Sequence, residues 1–292
     1  MAFLKTWILA ARPATLWAAV APVLVGSALA AHDDVFDWLI FALILFAALA
    51  IQVGVNFAND LADAERGADG AERIGPTRAV ATGLVSPAQM KRGIAIAFGL
   101  AALAGVYLIS VGGWVVLAIG VVSIIAALGY TNGPVPYGYR GMGELFVFIF
   151  FGLVATAGTR YVYDRSAPVD AWVSGIVMGL LAAAILEANN IRDIESDRAA
   201  GKRTLAVILG RTGARRLYSA TLIGTFIVLG AGIVVGTLPS AMSLAFLAAP
   251  FVVPLIRTTL TQTSGPPLIG VLKGTARLQL AVAVGMSLGA LV

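Results

Sequence analysis

Two short acidic clusters hold the residues best suited to chemistry. The first, "NDLAD", contains Asn59, Asp60 and Asp63, and the second, "DIESD", contains Asp193 and Asp197. At 3.6 residues per helical turn, Asn56, Asp60 and Asp63 stand at i, i+4 and i+7, one narrow stripe of a helix. Asn190, Asp193 and Asp197 repeat the pattern at i, i+3 and i+7, with Glu187 and Asn189 slightly deeper in apolar sequence. Hard carboxylate oxygens in facing pairs suit Mg²⁺, which keeps several waters and is often completed by substrate phosphates. Arg73, Arg78, Lys202 and Arg203 follow the clusters closely and would hold phosphate oxygens directly. Metal and cations together would stabilise a diphosphate as it leaves. Plainer readings stand beside these: structural ion pairs for the aspartates, helix caps for Glu65, Glu72 and Glu195, a turn for Gly-flanked Asp69, and topological charge bias for the basic residues.

The elements that must position these groups are apolar. Of 292 residues, 59% are hydrophobic and 12% charged, and the mean hydropathy is +0.92. Soluble domains carry about 25% charged residues, so lipid is the solvent for much of this surface. The chain lacks cysteine, which excludes disulfides and thiolate metal sites. Its lone histidine, His32, excludes a His-based metal cluster and reads as a loop residue. Apolar runs long enough to span a bilayer occur near residues 14–31, 38–58, 93–110, 113–130, 143–161, 171–189, 217–236, 240–260 and 268–292. The expected fold is therefore all-α: a polytopic membrane protein of about nine transmembrane helices around a central cavity, one domain over 1–292. Pro250, Pro254, Pro266 and Pro267 interrupt the last two runs.

Lysine and arginine set the orientation. Residues 59–92 carry Arg66, Arg73, Arg78, Lys91 and Arg92, and residues 190–216 carry seven such cations. The alternate loops carry none, except 160–170 with Arg160 and Arg165. The N-terminus and both acidic clusters are thus expected on the cytoplasmic side of the cell (inner) membrane, and the C-terminus outside. The formal charge of +5 reflects this bias rather than nucleic-acid binding. Both clusters end even-numbered spans on one side of the membrane, so they can meet across one cavity. A diphosphate leaving from a membrane-embedded substrate indicates an isoprenoid diphosphate.

At these residues the sequence resembles the UbiA superfamily of intramembrane prenyltransferases. "NDLAD" matches the first Asp-rich motif of that family and "DIESD" the second, and "RPATL" (Arg12 to Leu16) resembles its lead into the first span. "RIGPTRAV", "YTNGPVPYGYRGMGELFVFIFFG" and "NNIRDIESDRAAGKRTLAVILG" are similar to the branch that acts on 1,4-dihydroxy-2-naphthoate in menaquinone synthesis, the MenA enzymes. The resemblance implies that a polyprenyl diphosphate ionises toward an allylic cation. The naphthoate ring then attacks C1, and CO₂ is lost to give demethylmenaquinone in its reduced, quinol form. It implies Mg²⁺–diphosphate held by Asp60, Asp63, Asp193 and Asp197, with Asn56, Asn59, Asn189 and Asn190 assisting. Lys202, Arg73 and Arg78 would contact diphosphate or acceptor, and Tyr130 and Tyr139 would face the cation or the acceptor ring. Arg140 and Glu144 would belong to the same wall. The third acidic position of the general motif is Gly67 here, which leaves Asp69 a doubtful ligand.

Two other readings compete. One is the same chemistry on another aromatic acceptor, such as 4-hydroxybenzoate or homogentisate. The other is a secondary transporter, whose acidic sites usually lie near the midplane on broken helices. Here the acids cluster at helix ends with basic residues between them, which favours diphosphate chemistry.

Overall fold

Pro13 makes the first bend. The residue before a proline is driven out of the α region, and Arg12 adopts left-handed φ 52°. In the computed structural model, which describes residues 2–65, 78–131, 136–263 and 265–292, this break separates α1 (Ala2–Ala11) from α2 (Pro13–His32). Thr15 stitches the corner by donating its backbone N–H and its hydroxyl to the Arg12 carbonyl at 2.9 and 3.0 Å. α1 lies against α3 (Trp38–Glu65), where Trp7 meets Phe57 edge-on with ring centroids 5.2 Å apart.

The chain continues through α4 (Pro87–Gly112), α5 (Trp114–Gly129), a 3₁₀ turn at Tyr137–Tyr139, and a rod from Gly143 to Asp164. That rod is α6 (Gly143–Phe148), a π segment (Ile149–Val154) and α7 (Ala155–Asp164). α8 (Val169–Ala199) and α9 (Leu205–Val234) form a long hairpin. A 3₁₀ segment (Ser240–Phe251) runs into α10 (Val252–Thr261), and α11 (Pro266–Ala290) closes the fold. α4 starts on a capping box: Ser86 Oγ accepts from Gln89 N, the Gln89 side chain accepts from Ser86 N, and Pro87 follows.

Among the described residues, eight helices are long and apolar enough to cross a membrane. The remaining expected span, 113–130, is α5; it has 16 residues, about 24 Å at 1.5 Å per residue, and is short for a bilayer core. Several helices also outrun their apolar cores. α3 continues to Glu65 and α8 to Ala199, so both acidic clusters are helical. Hydropathy marks only the lipid-facing length, whereas the i→i−4 ladder continues into polar sequence at no cost to the backbone.

Two loop expectations are corrected. His32 is the last residue of α2, and its Nδ1 lies 2.8 Å from the Ala290 carbonyl. Arg160, which broke the charge pattern, is a helical residue only 3% exposed. It is neutralised by Asp33 and Asp164 at 2.6 Å each, so it does not act as a free topological charge.

The largest buried core joins α2, α8, α9, α11 and the 3₁₀ segment through residues such as Leu29, Met178, Leu222 and Met286. Gly152, Gly175 and Gly179 let the π segment sit directly on α8: a Cβ at Gly152 would lie 2.6 Å from the Gly175 carbonyl. Outward-facing Trp38, Leu103, Trp114 and Leu247 are 70–77% exposed, as lipid-facing side chains are.

Candidate active site

The end of α3 presents Asp60 and Asp63, one turn apart on a buried face. Asp63 gathers three donors. Tyr139 Oη and Lys202 Nζ donate to its Oδ1 at 2.6 and 3.0 Å, and Arg78 donates to Oδ2. Lys202 Nζ also sits 4.7 Å from the centroid of the Tyr139 ring. Asp60 has a different environment: its two oxygens accept the backbone N–H groups of Ala79 and Val80, each at 3.0 Å. It is 1% exposed and anchors the strand of chain that carries Arg78.

The end of α8 supplies the facing group. Arg192 grips Asp193 in a fork, Nε to Oδ1 at 2.7 Å and Nη2 to Oδ2 at 2.5 Å, and also donates to Asn189 Oδ1 at 2.8 Å. One residue along, Asn190 Nδ2 donates to Glu144 Oε1 at 2.8 Å. The helix then turns at Gly201, φ 70°, and Lys202 N closes onto the Asp197 carbonyl at 2.8 Å. This turn sends Lys202 across to Asp63, so an ion pair ties the segment just after the second cluster to the first, 139 residues back in sequence.

Tyrosines form the wall between them. Gly138 N donates to the Tyr130 carbonyl at 3.0 Å, and a Cβ at Gly138 would collide with Tyr130. Tyr137 stacks on Phe146 at 3.9 Å and donates to the Ala126 carbonyl at 2.6 Å. Burial holds the phenols of Tyr130 and Tyr137 well above the ordinary tyrosine range, with Glu144 and then Asp63 adding to the rise at Tyr130. Both remain neutral donors. Thr131 donates to Asn59 Oδ1 at 2.9 Å, and Asn56 donates to the Ala11 carbonyl at 2.8 Å and to Thr15 Oγ1 at 3.1 Å.

These groups close one end of a cavity of about 770 Å³. Of the residues expected from sequence, Asn56, Asn59, Asp63, Arg78, Tyr130 and Tyr139 line it from one side, and Asn189, Asn190, Asp193, Asp197 and Lys202 from the other. Asp60 and Arg140 do not line it; Asp60 faces the Ala79–Val80 amides and Arg140 is exposed. Arg73 and Asp69 lie outside the described residues. Sequence reasoning missed Arg12, Gln52, Thr131 and Arg192 as lining groups. The Arg-Pro break signalled Arg12. Arg192 was counted only among topological charges, although it stands beside Asp193. The rest of the cavity is mostly apolar, reaching Val23, Leu108, Leu117 and Phe151.

Charge in the cavity favours an anion. Its lining carries five cations (Arg12, Arg78, Arg192, Lys202, Lys273) and three carboxylates (Asp63, Asp193, Asp197), a net of 5 − 3 = +2. Among the described residues, no three carboxylate or imidazole groups converge to hold a metal by themselves. Mg²⁺ needs only one or two protein carboxylates when phosphates complete its shell. Asp63, Asp193 and Asp197 on opposite sides of the cavity therefore fit a metal that arrives with a phosphate ligand.

The model of the UbiA prenyltransferase family matches residues 19–267. A relative from Escherichia coli (strain K12), 1,4-dihydroxy-2-naphthoate octaprenyltransferase, is 40% identical over 233 residues, 77% of this chain and 75% of its own. Among solved structures, a UbiA homolog from Aeropyrum pernix K1 superposes with a TM-score of 0.72 at 19% identity, covering 94% of this chain and 96% of that one. A UbiA homolog from Archaeoglobus fulgidus, bound to GPP and Mg²⁺, gives a TM-score of 0.66 at 14% identity, covering 98% and 99%.

Proposed function

We propose that this chain, which belongs to the UbiA prenyltransferase family, transfers a polyprenyl group from polyprenyl diphosphate to 1,4-dihydroxy-2-naphthoate, with loss of diphosphate and CO₂. The observation that carries this reading is the Lys202–Asp63 ion pair, which ties the segment after α8 to the end of α3 at the polar end of a largely apolar cavity. A charged head belongs at that end and an isoprenoid tail along the apolar remainder. The naphthoate relative supports the choice of acceptor, and the Mg²⁺-bound homolog supports the metal.

Asp63, Asp193 and Asp197 would hold the Mg²⁺–diphosphate, and a bound Mg²⁺ supplies charge neutralisation to the leaving diphosphate. Arg78 and Lys202 are stored on Asp63 and move to phosphate oxygens as a charge-assisted pair. Asp60 fixes the approach of Arg78 by holding the Ala79 and Val80 amides. The allylic C1–O bond breaks, and both its electrons leave with the diphosphate. A ring carbon of the acceptor gives an electron pair to C1. The carboxylate then departs as CO₂, and its bonding electrons restore the aromatic ring, so no external base is required. Tyr130 and Tyr139 flank this space, with Tyr130 kept neutral by burial. Arg12 and the Asn56–Thr15 corner also line the cavity and are the reserve of polar contacts for the acceptor. The excess of lysine and arginine around both clusters supports an active site open to the cytoplasm.

Purified protein supplied with one polyprenyl diphosphate and a panel of aromatic acceptors tests this. The expected result is Mg²⁺-dependent release of diphosphate and CO₂ with the dihydroxynaphthoate alone. Turnover of 4-hydroxybenzoate or homogentisate in its place would move the assignment to another acceptor. Turnover unaffected by chelation would remove the metal.

A further inference from the structure

We propose that Lys273 and Arg277 form a binding site for the headgroup phosphate of an anionic phospholipid on the outer face of α11. The two residues are exposed and one turn apart. They share a stripe spaced by three and four with Gly270, Ala281, Val284 and Leu288, all exposed, and Leu288 is 53% so. The opposite face, with Leu268, Val271, Thr275 and Leu278, is buried against the protein. The stripe is therefore the lipid-facing side of a membrane-spanning helix, and two cations interrupt it.

Their depth makes the pair unusual. Lys273 and Arg277 stand seven and eleven residues after Pro266, about 10 and 16 Å along the helix at 1.5 Å per residue. A charge at such depth is costly unless it finds a counter-charge. No ion pair to either residue occurs among the described residues. Among the described residues the exposed carboxylates, Asp33, Asp34, Asp37, Glu65, Asp164 and Glu195, sit at or near helix ends. Among the described residues a second copy of this chain brings no carboxylate to that depth, which points to lipid as the source of the counter-charge.

Geometry selects the leaflet. Long basic side chains reach from an apolar position toward the nearest polar interface. For α11 that is its Pro266 end, on the same side as the cavity's polar end, because Arg211 and Arg215 at the start of α9 bind the carbonyls of Thr263 and Gln262 just before α11. Gly270 lies one turn nearer that end, and a Cβ there would meet nothing within 4 Å, which leaves room for a headgroup above the pair. Lys273 also borders the main cavity beside Ile269 and Leu272, so a lipid seated here flanks the reaction chamber. Arg277 does not line the cavity, which points to a bulk lipid rather than the isoprenoid substrate.

The full chain in nanodiscs of phosphatidylcholine, titrated with phosphatidylglycerol, tests the site, with thermal stability and lipid retained in native mass spectrometry as readouts. The wild type is expected to show saturable stabilisation and to retain one tightly held phosphatidylglycerol. The double variant Lys273→Gln, Arg277→Gln should lose at least tenfold in lipid affinity. Lys273→Arg with Arg277→Lys, and Arg216→Gln on the exposed part of α9, should stay within twofold of wild type. An unchanged response in the double Gln variant overturns the proposal, as does an equal loss in Arg216→Gln, which would mean a general surface-charge effect. Should the double variant fail to fold, the wild-type titration decides: a linear, non-saturating response overturns the site.

Discussion

Replacing Asp60 by Asn separates two roles that one carboxylate could have. If Asp60 is an anchor, its work is done through the amides of Ala79 and Val80, each 3.0 Å away. Asp60 is 1% exposed and Ala79 2%, so neither end of these bonds has easy access to water. Asn keeps one carbonyl oxygen but turns an NH₂ toward the second amide, opposing donor to donor. One hydrogen bond to a charged group is lost, about 1.5–3 kcal/mol. At 1.4 kcal/mol per factor of ten, the ordered position of residues 78–80 becomes roughly ten- to hundredfold less favoured. Because Arg78 is carried there, KM for the polyprenyl diphosphate should rise by a comparable factor, and the detergent-solubilised protein should melt earlier. The Mg²⁺ concentration for half-maximal rate should stay where it is. Steady-state kinetics over a Mg²⁺ titration, with a thermal melt on the same preparation, gives all three quantities. A Mg²⁺ requirement raised tenfold with the melting temperature unchanged would refute the anchoring role and make Asp60 a metal ligand.

Three further outcomes follow from the same geometry. Asp63→Asn removes the acceptor shared by Tyr139, Lys202 and Arg78; kcat/KM should fall by about a hundredfold or more, in the range seen when one group stabilising a transition state is deleted, and a loss below threefold contradicts the site. Gly152→Ala drives a methyl into the α8 backbone and should cost about 1–3 kcal/mol as overpacking does, whereas Gly120→Ala, with nothing within 4 Å, should leave the thermal melt unchanged. Tyr130 keeps its proton in the folded state beyond the ordinary phenol pKa of 10.0, so its contribution is fully present below pH 10 and is lost as pH rises toward the folded value. Tyr130→Phe should therefore show a shallower loss of stability above pH 10 than the wild type in a melt series.

Much of this arrangement was legible in the chain because the physics involved is local. Apolar runs announce spans, and a period of 3.6 places Asn56, Asp60 and Asp63 on one stripe from sequence alone. What periodicity cannot tell is which neighbour a side chain meets. Asp60 and Asp63 look equivalent in "NDLAD". The difference arises because residues 78–80 fold back onto the first and Lys202 crosses to the second, contacts across 19 and 139 residues. Arg192 was hidden for the opposite reason. A cation beside a carboxylate in a basic loop looks like topological charge, and only its burial, 6% exposed, marks it as part of the cavity. Hydropathy likewise ended the spans too early, since it senses lipid contact and not the continuation of a hydrogen-bonded helix.

If the cavity cations bind phosphate as proposed, their ion pairs explain how a membrane protein can keep them ready before substrate arrives. Arg78, Arg192 and Lys202 are mostly buried, and a bare buried charge is far costlier than a paired one. Each is held by a carboxylate, Asp63 or Asp193. The carboxylates are in turn the groups with the right chemistry for a divalent cation. Under the proposed function, binding a metal–diphosphate would exchange partners without leaving any charge alone: Asp63 and Asp193 would hold the metal, and the freed cations would hold phosphate, until product departure restored the pairs. Under this scheme a cation cannot be removed cheaply even where it never touches phosphate. Arg192→Gln should weaken both substrate binding and stability, because Asp193, 6% exposed, would lose its two-point partner while remaining buried. Arg192→Lys, which restores charge but not the fork, should recover the stability more fully than the kinetics.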